Sequence, residues 1–84
     1  LIIRNTQVDE FTNNNYKKIR KVILESTSNI DVFLDTIDKD HLEELILMNN
    51  SLISYNFSNF VNIRNLTILD NPIKSLKLLG LEKL

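Results

Sequence analysis

The chain has 84 residues, with 25 Leu and Ile, 12 Asn, one Gly, one Pro and neither Cys nor Trp. That length suits one domain, and Leu, Ile, Val and Phe at 33 of the 84 positions make it too apolar for intrinsic disorder. No apolar run approaches the ~18 residues of a membrane span, and a net charge of −1 argues against general nucleic-acid binding.

Without cysteine the chain has no disulfide framework, thiolate zinc site or thiol nucleophile. An intracellular setting is expected on the same ground. Taken in chain order, the elements announce themselves as short apolar-x-apolar strands separated by longer returns. Strands are expected at Leu1-x-Ile3, Val22-x-Leu24, Leu45-x-Leu47 and Leu66-x-Ile68. The returns between them run through Phe11-Thr12-Asn13-Asn14-Asn15-Tyr16, Val32 to Ile37, and Tyr55 to Phe60. These are read as short helical or irregular turns whose Phe side chains fill the space between strand and return. Pro72 is placed at a turn, where a fixed φ and a missing N–H are tolerated, and Gly80 is expected to turn the chain before a further strand. A three-helix bundle is poorly served, because Asn-rich and β-branched stretches form helices weakly.

A longer pattern underlies these strands. Leu42-x-x-Leu45-x-Leu47-x-x-Asn50-x-Leu52 and Ile63-x-x-Leu66-x-Ile68-x-x-Asn71-x-Ile73 match at offsets 0, 3, 5, 8 and 10. Ile19-x-x-Val22-x-Leu24-x-x-Thr27 repeats its first part, and Ile30 comes one residue late. Leu1-x-Ile3-x-x-Thr6-x-Val8 is the same pattern without its first three residues, and Leu81-x-x-Leu84 could open another copy. Starts are separated by 23, 21 and 18 residues. Repeats are therefore placed near 1–18, 19–41, 42–62 and 63–80, with a start at 81–84. Both ends are apolar where domains usually fray into polar residues, so the chain is expected to be a segment of a longer protein.

The pattern resembles the leucine-rich repeat family, L-x-x-L-x-L-x-x-N/C-x-L at about 20–29 residues per repeat. The resemblance spans nearly the whole chain and is most specific over residues 42–76; Thr6 and Thr27 depart from the Asn that the family prefers. It implies an α/β fold, a curved solenoid with a concave parallel β-sheet and short helical or irregular convex returns. The physical chemistry agrees: apolar residues at offsets 0, 3, 5 and 10 of one copy must be buried by its neighbours. At offset 8, Thr6, Thr27, Asn50 and Asn71 are assigned a structural role, bonding backbone groups that the bend leaves unpaired.

With offsets 3 and 5 buried, offsets 2, 4 and 6 face solvent. Offset 4 is Ile2, Ile23, Ile46 and Thr67; offset 6 is Arg4, Glu25, Met48 and Leu69; offset 2 is Lys21, Glu44, Asn65 and Lys83. Offset 7 is Asn5, Ser26, Asn49 and Asp70. Aligned isoleucines flanked by Met48 and Leu69 would form an apolar stripe, and contiguous exposed apolar surface marks interaction sites. A partner-binding face of Ile2, Arg4, Ile23, Glu25, Glu44, Ile46, Met48, Thr67 and Leu69 is therefore expected, with Arg4, Glu25 and Glu44 orienting a protein partner at the rim.

Other polar groups are assigned no site. His41 lies beside Asp38 and Asp40, with no second His or Cys to complete a metal centre. Asp31, Asp35, Asp38 and Asp40 lack the spacing of a calcium loop and read as a solvated edge. Asn49-Asn50-Ser51, Asn56-Phe57-Ser58 and Asn65-Leu66-Thr67 match the glycosylation pattern, at a frequency that 12 Asn make unsurprising. No catalytic constellation, cofactor motif or metal ligand set is present in the sequence. The expectation is a non-catalytic protein-interaction module; the alternatives are a structural subunit of a large assembly such as a ribonucleoprotein, or a surface or secreted recognition domain. In the assembly reading, open repeat ends are covered by flanking repeats or neighbouring subunits.

Overall fold

The computed structural model describes residues 1–4, 19–78 and 80–84. The first offset-8 residue, Thr6, and the return from Phe11 to Tyr16 lie outside them. Four strands, β1 (Ile2–Arg4), β2 (Lys21–Glu25), β3 (Glu44–Met48) and β5 (Asn65–Leu69), form one parallel sheet in that order. A second parallel pair joins β4 (Ser54–Asn56) to β6 (Ser75–Lys77). A single helix, α1 (Ile30–Thr36), connects β2 to β3. The fold is thus α/β, with parallel strands and one helix among the described residues. No described helix is long and apolar enough to cross a membrane.

The sheet keeps the alternation of the sequence. Val22, Leu24, Leu45 and Leu47 are fully buried, while their neighbours along each strand are half-buried or exposed. Registers are whole: Val22 lies opposite Leu45 and Leu45 opposite Leu66; Leu24 lies opposite Leu47 and Leu47 opposite Ile68. β3 and β5 are preceded by the same junction. The Arg20 carbonyl accepts the N–H groups of Glu43 and Glu44, and the Glu43 carbonyl accepts those of Arg64 and Asn65.

Helix α1 buries Ile30, Phe33 and Leu34, the spacing that puts three side chains on one helical stripe. It begins after Asn29, at φ 57°, and carries Asp31 in its first turn, where a negative charge suits the helix dipole. It ends at Ile37, which turns to extended backbone. Phe33, Phe57 and Phe60 are fully buried. Tyr55, Phe57 and Phe60 form a cluster with centroids 4.8 to 6.3 Å apart.

One segment differs from the sequence-based expectation. Tyr55 and Asn56, read as the start of a short helical or irregular return, belong with Ser54 to strand β4, because β6 supplies a parallel partner in register (Tyr55 opposite Leu76). Residues 81–84, read as the start of a further repeat, lie in turns. Their amides bond locally, from Glu82 to the Gly80 carbonyl and from Leu84 to the Leu81 carbonyl, and Gly80 takes φ +85° at the bend.

Candidate protein-interaction face

The buried side of the bend after β2, β3 and β5 is tied by side chains. Asn50, 5 % exposed, accepts the Thr27 N–H at Oδ1 (2.9 Å) and donates from Nδ2 to the Leu24 carbonyl (2.9 Å). Asn71 repeats the arrangement one strand on, accepting the Asn50 N–H (3.2 Å) and donating to the Leu47 carbonyl (3.0 Å). Thr27 does part of this with its hydroxyl, 2.9 Å from the Glu25 carbonyl and 3.2 Å from the Ile3 carbonyl. Just before these residues, Ser26, Asn49 and Asp70 all adopt left-handed backbone, at φ 51°, 51° and 55°. Asn49 also donates to the Ser26 hydroxyl (3.0 Å). The bend is therefore the same three times over, and it fixes the strands' outer face.

On that face the register sets Ile2 beside Ile23, Ile23 beside Ile46 and Ile46 beside Thr67. The next row outward runs Arg4, Glu25, Met48 and Leu69. Ile2 is 55 % exposed and Leu69 52 %; Ile23, Ile46, Met48 and Thr67 between them are half-buried. The apolar surface is a diagonal path from Ile2 through Ile23 and Ile46 to Met48 and Leu69. It is most exposed at its two ends.

The charges along the path are engaged with one another. Arg4 Nε lies 2.7 Å from Glu25 Oε2, and Lys21 Nζ lies 3.6 Å from Glu44 Oε1. Arg4, Glu25 and Glu44, expected to steer a partner, are thus cross-strand ion pairs in the free chain. Opposite charges at one offset of neighbouring copies are the signal for this, since same-offset residues become lateral neighbours. Reading offset 1 in the same way finds a further row, Arg20, Glu43 and Arg64. Glu43 stands between the two guanidinium groups, at 3.7 and 3.9 Å.

The remaining candidates are occupied locally. His41 Nδ1 meets Asp38 Oδ2 at 2.8 Å on the surface. Asp35 accepts a hydrogen bond from the Tyr55 hydroxyl at 2.6 Å. That bond and partial burial favour the neutral phenol, and Tyr55 titrates well above the usual tyrosine range, burial being the larger cause. Among the described residues no three His, Asp or Glu side chains converge as a metal site. Asn49, Asn56 and Asn65 are all exposed.

Comparison with protein-family models, with curated proteins and with solved structures finds no match to this chain.

Proposed function

We propose that the chain is a leucine-rich-repeat solenoid segment working as a non-catalytic protein-interaction module, with a partner segment held along Ile2, Ile23, Ile46, Met48 and Leu69. The observation that supports this reading is the diagonal apolar path on the outer face of the parallel sheet. Residues that alternate out of a sheet are normally polar, and leaving a large aliphatic side chain in water forgoes about 1.5–3 kcal/mol of burial. Thr67 belongs to the same row, and the Arg4–Glu25 and Lys21–Glu44 pairs border the path, where charges contribute more to specificity and on-rate than to affinity. The in-register sheet and the repeated Asn bend support the solenoid part of the reading.

Peptides selected from a random library on the immobilised chain test it. The expected winners protect the outer residues of β2 and β3 from hydrogen exchange and are lost from the Ile23→Asp and Ile46→Asp variants. Ile2→Asp and Leu69→Asp, at the exposed ends of the path, weaken them without touching the fold. Winners that bind all four variants equally overturn the proposal.

A second reading, a structural subunit of a larger assembly, has one observation in its favour. Leu66 and Ile68 hold the same offsets in β5 that are fully buried in β2 and β3, yet both are only half-buried. All three residues of β6 are exposed as well. In that reading a neighbouring subunit or further repeat covers this side.

A further inference from the structure

We propose that the partner segment carries an acidic side chain, and that its carboxylate seats between Arg64 and Lys83 at the rim where the strands begin. The position of this acid relative to the apolar path rests on the function proposed above; the anion site itself does not.

Charges along this rim alternate. Arg20 precedes β2, Glu43 precedes β3 and Arg64 precedes β5, so the register of the sheet lines them up as cation, anion, cation. Lys83 lines the same cleft as these three. No carboxylate lies within ion-pair distance of Lys83 among the described residues, and its Nζ donates to Asn62 Oδ1 at 2.6 Å. Asn62 in turn donates to the Asp40 carbonyl, which holds the amide in place and with it the lysine.

The two arginines are under-used. Glu43 approaches each through Nε at 3.7 and 3.9 Å, beyond the 2.7–2.9 Å of a charge-assisted hydrogen bond (about the usual range). Their side chains are 80 % and 64 % exposed. One carboxylate is thus shared loosely between two planar forks, each built to take a carboxylate on two donors. Arg4 shows the contrast, with its Nε 2.7 Å from Glu25. Within the cleft, Arg20, Arg64 and Lys83 face Asp40 and Glu43, so a single further carboxylate brings the rim to neutrality. His41, which also lines it, is engaged with Asp38.

Spacing ties this site to the apolar path. Arg64 lies three residues before Thr67, which stands beside Ile46 of the path, so the site is about 10 Å along the strands from the Ile46 row. A helical partner covers about that distance in two turns, so an acid seven residues from an apolar anchor reaches both.

Titration of the isotope-labelled chain with N-acetylglutamate methylamide, at ionic strength held constant with chloride, tests the site without any partner. The expected result is a saturable shift of the Arg64 side-chain Nε–H and of Lys83, with the Arg4 Nε–H unmoved. Arg64→Gln is expected to weaken the binding roughly tenfold or more, as loss of a charge-assisted pair does. Equal movement at Arg4, or no saturation, overturns the proposal; so does tighter binding of inorganic phosphate, which would assign the rim to a phosphate group. Because the path residues take no part in this titration, its failure leaves the Ile2–Leu69 reading standing, and the converse holds.

Discussion

The Asn71 side-chain carbonyl accepts the backbone N–H of Asn50 at 3.2 Å, and Asn50 does the same for Thr27 at 2.9 Å. Both amides also donate back to the preceding strand, but they differ in burial: the Asn50 bonds are buried, whereas those of Asn71 are part-buried or exposed. Leaving a buried backbone group unpaired costs about 1–3 kcal/mol. Asn50→Ala, which orphans the Thr27 N–H and the Leu24 carbonyl, should cost about 2–4 kcal/mol, and Asn71→Ala about half as much. Urea unfolding at unchanged m-value measures both; equal losses would contradict the burial argument.

The ring cluster sets the largest single-residue effect. Phe57 is fully buried, between Tyr55 at 4.8 Å and Phe60 at 5.9 Å. Phe57→Ala should destabilise by about 3–5 kcal/mol, a large share of the 5–15 kcal/mol (about the usual range) that holds a domain folded. Val61→Ala, at an exposed position nearby in sequence, should stay within about 0.5 kcal/mol. Circular dichroism on heating separates the two.

Left-handed backbone at Asp70 gives a substitution series. A β-branched residue is strained at φ 55°, and Asp70→Val should lower stability by about 1–2 kcal/mol. Asp70→Gly, free of a Cβ, should stay within about 1 kcal/mol of the parent in either direction. A valine variant as stable as the glycine one would show that the bend relaxes.

Tyr55 gives the chain an alkaline sensitivity. Its folded-state pKa lies above the unfolded value of 10.0, so above that pH the unfolded chain has released a proton that the folded chain retains. Stability from Tyr55 is therefore full below pH 10 (about the unfolded pKa) and falls as pH rises through it. The slope is at most about 1.4 kcal/mol per pH unit, less because the ring is partly solvated. Tyr55→Phe should flatten this limb of the stability profile and cost about 1 kcal/mol at neutral pH through the lost bond to Asp35. The chain has two tyrosines, so ultraviolet titration of a Tyr16→Phe background reads Tyr55 alone. Ionisation in the ordinary tyrosine range while the fold persists would refute the expectation.

The lateral register was legible in the sequence, because apolar residues at offsets 3 and 5 cannot slip by one position without turning the core outward. The roles of Thr27, Asn50 and Asn71 were legible for a related reason: a bend that recurs at one offset must be satisfied by whatever recurs there. Less visible were Ser54–Asn56 and Ser75–Lys77. These short polar segments carry no alternation of their own and become strands because the larger sheet brings them side by side. The left-handed residues Ser26, Asn49 and Asp70 share offset 7, and their tolerance of positive φ was a readable sign that no apolar pattern reports. On the candidate face, composition by column gave the isoleucines. It took comparison of charges along each column to see that Arg4 already has Glu25, and that Arg20 and Arg64 share Glu43.

The bonds of Asn50 and Asn71 also run one way. Each side chain serves the strand before it: Asn71 holds the Asn50 N–H and the Leu47 carbonyl, and Asn50 holds the Thr27 N–H and the Leu24 carbonyl. Opening β5 therefore strands polar groups in β3, whereas opening β1 leaves the Thr27 hydroxyl with the Glu25 carbonyl of its own strand. Loss of structure at one side propagates its penalty inward, and loss at the other is absorbed where it occurs. The stack has a grain, like a row of tiles in which each overlaps the last, and it is weathered from one direction more readily than from the other.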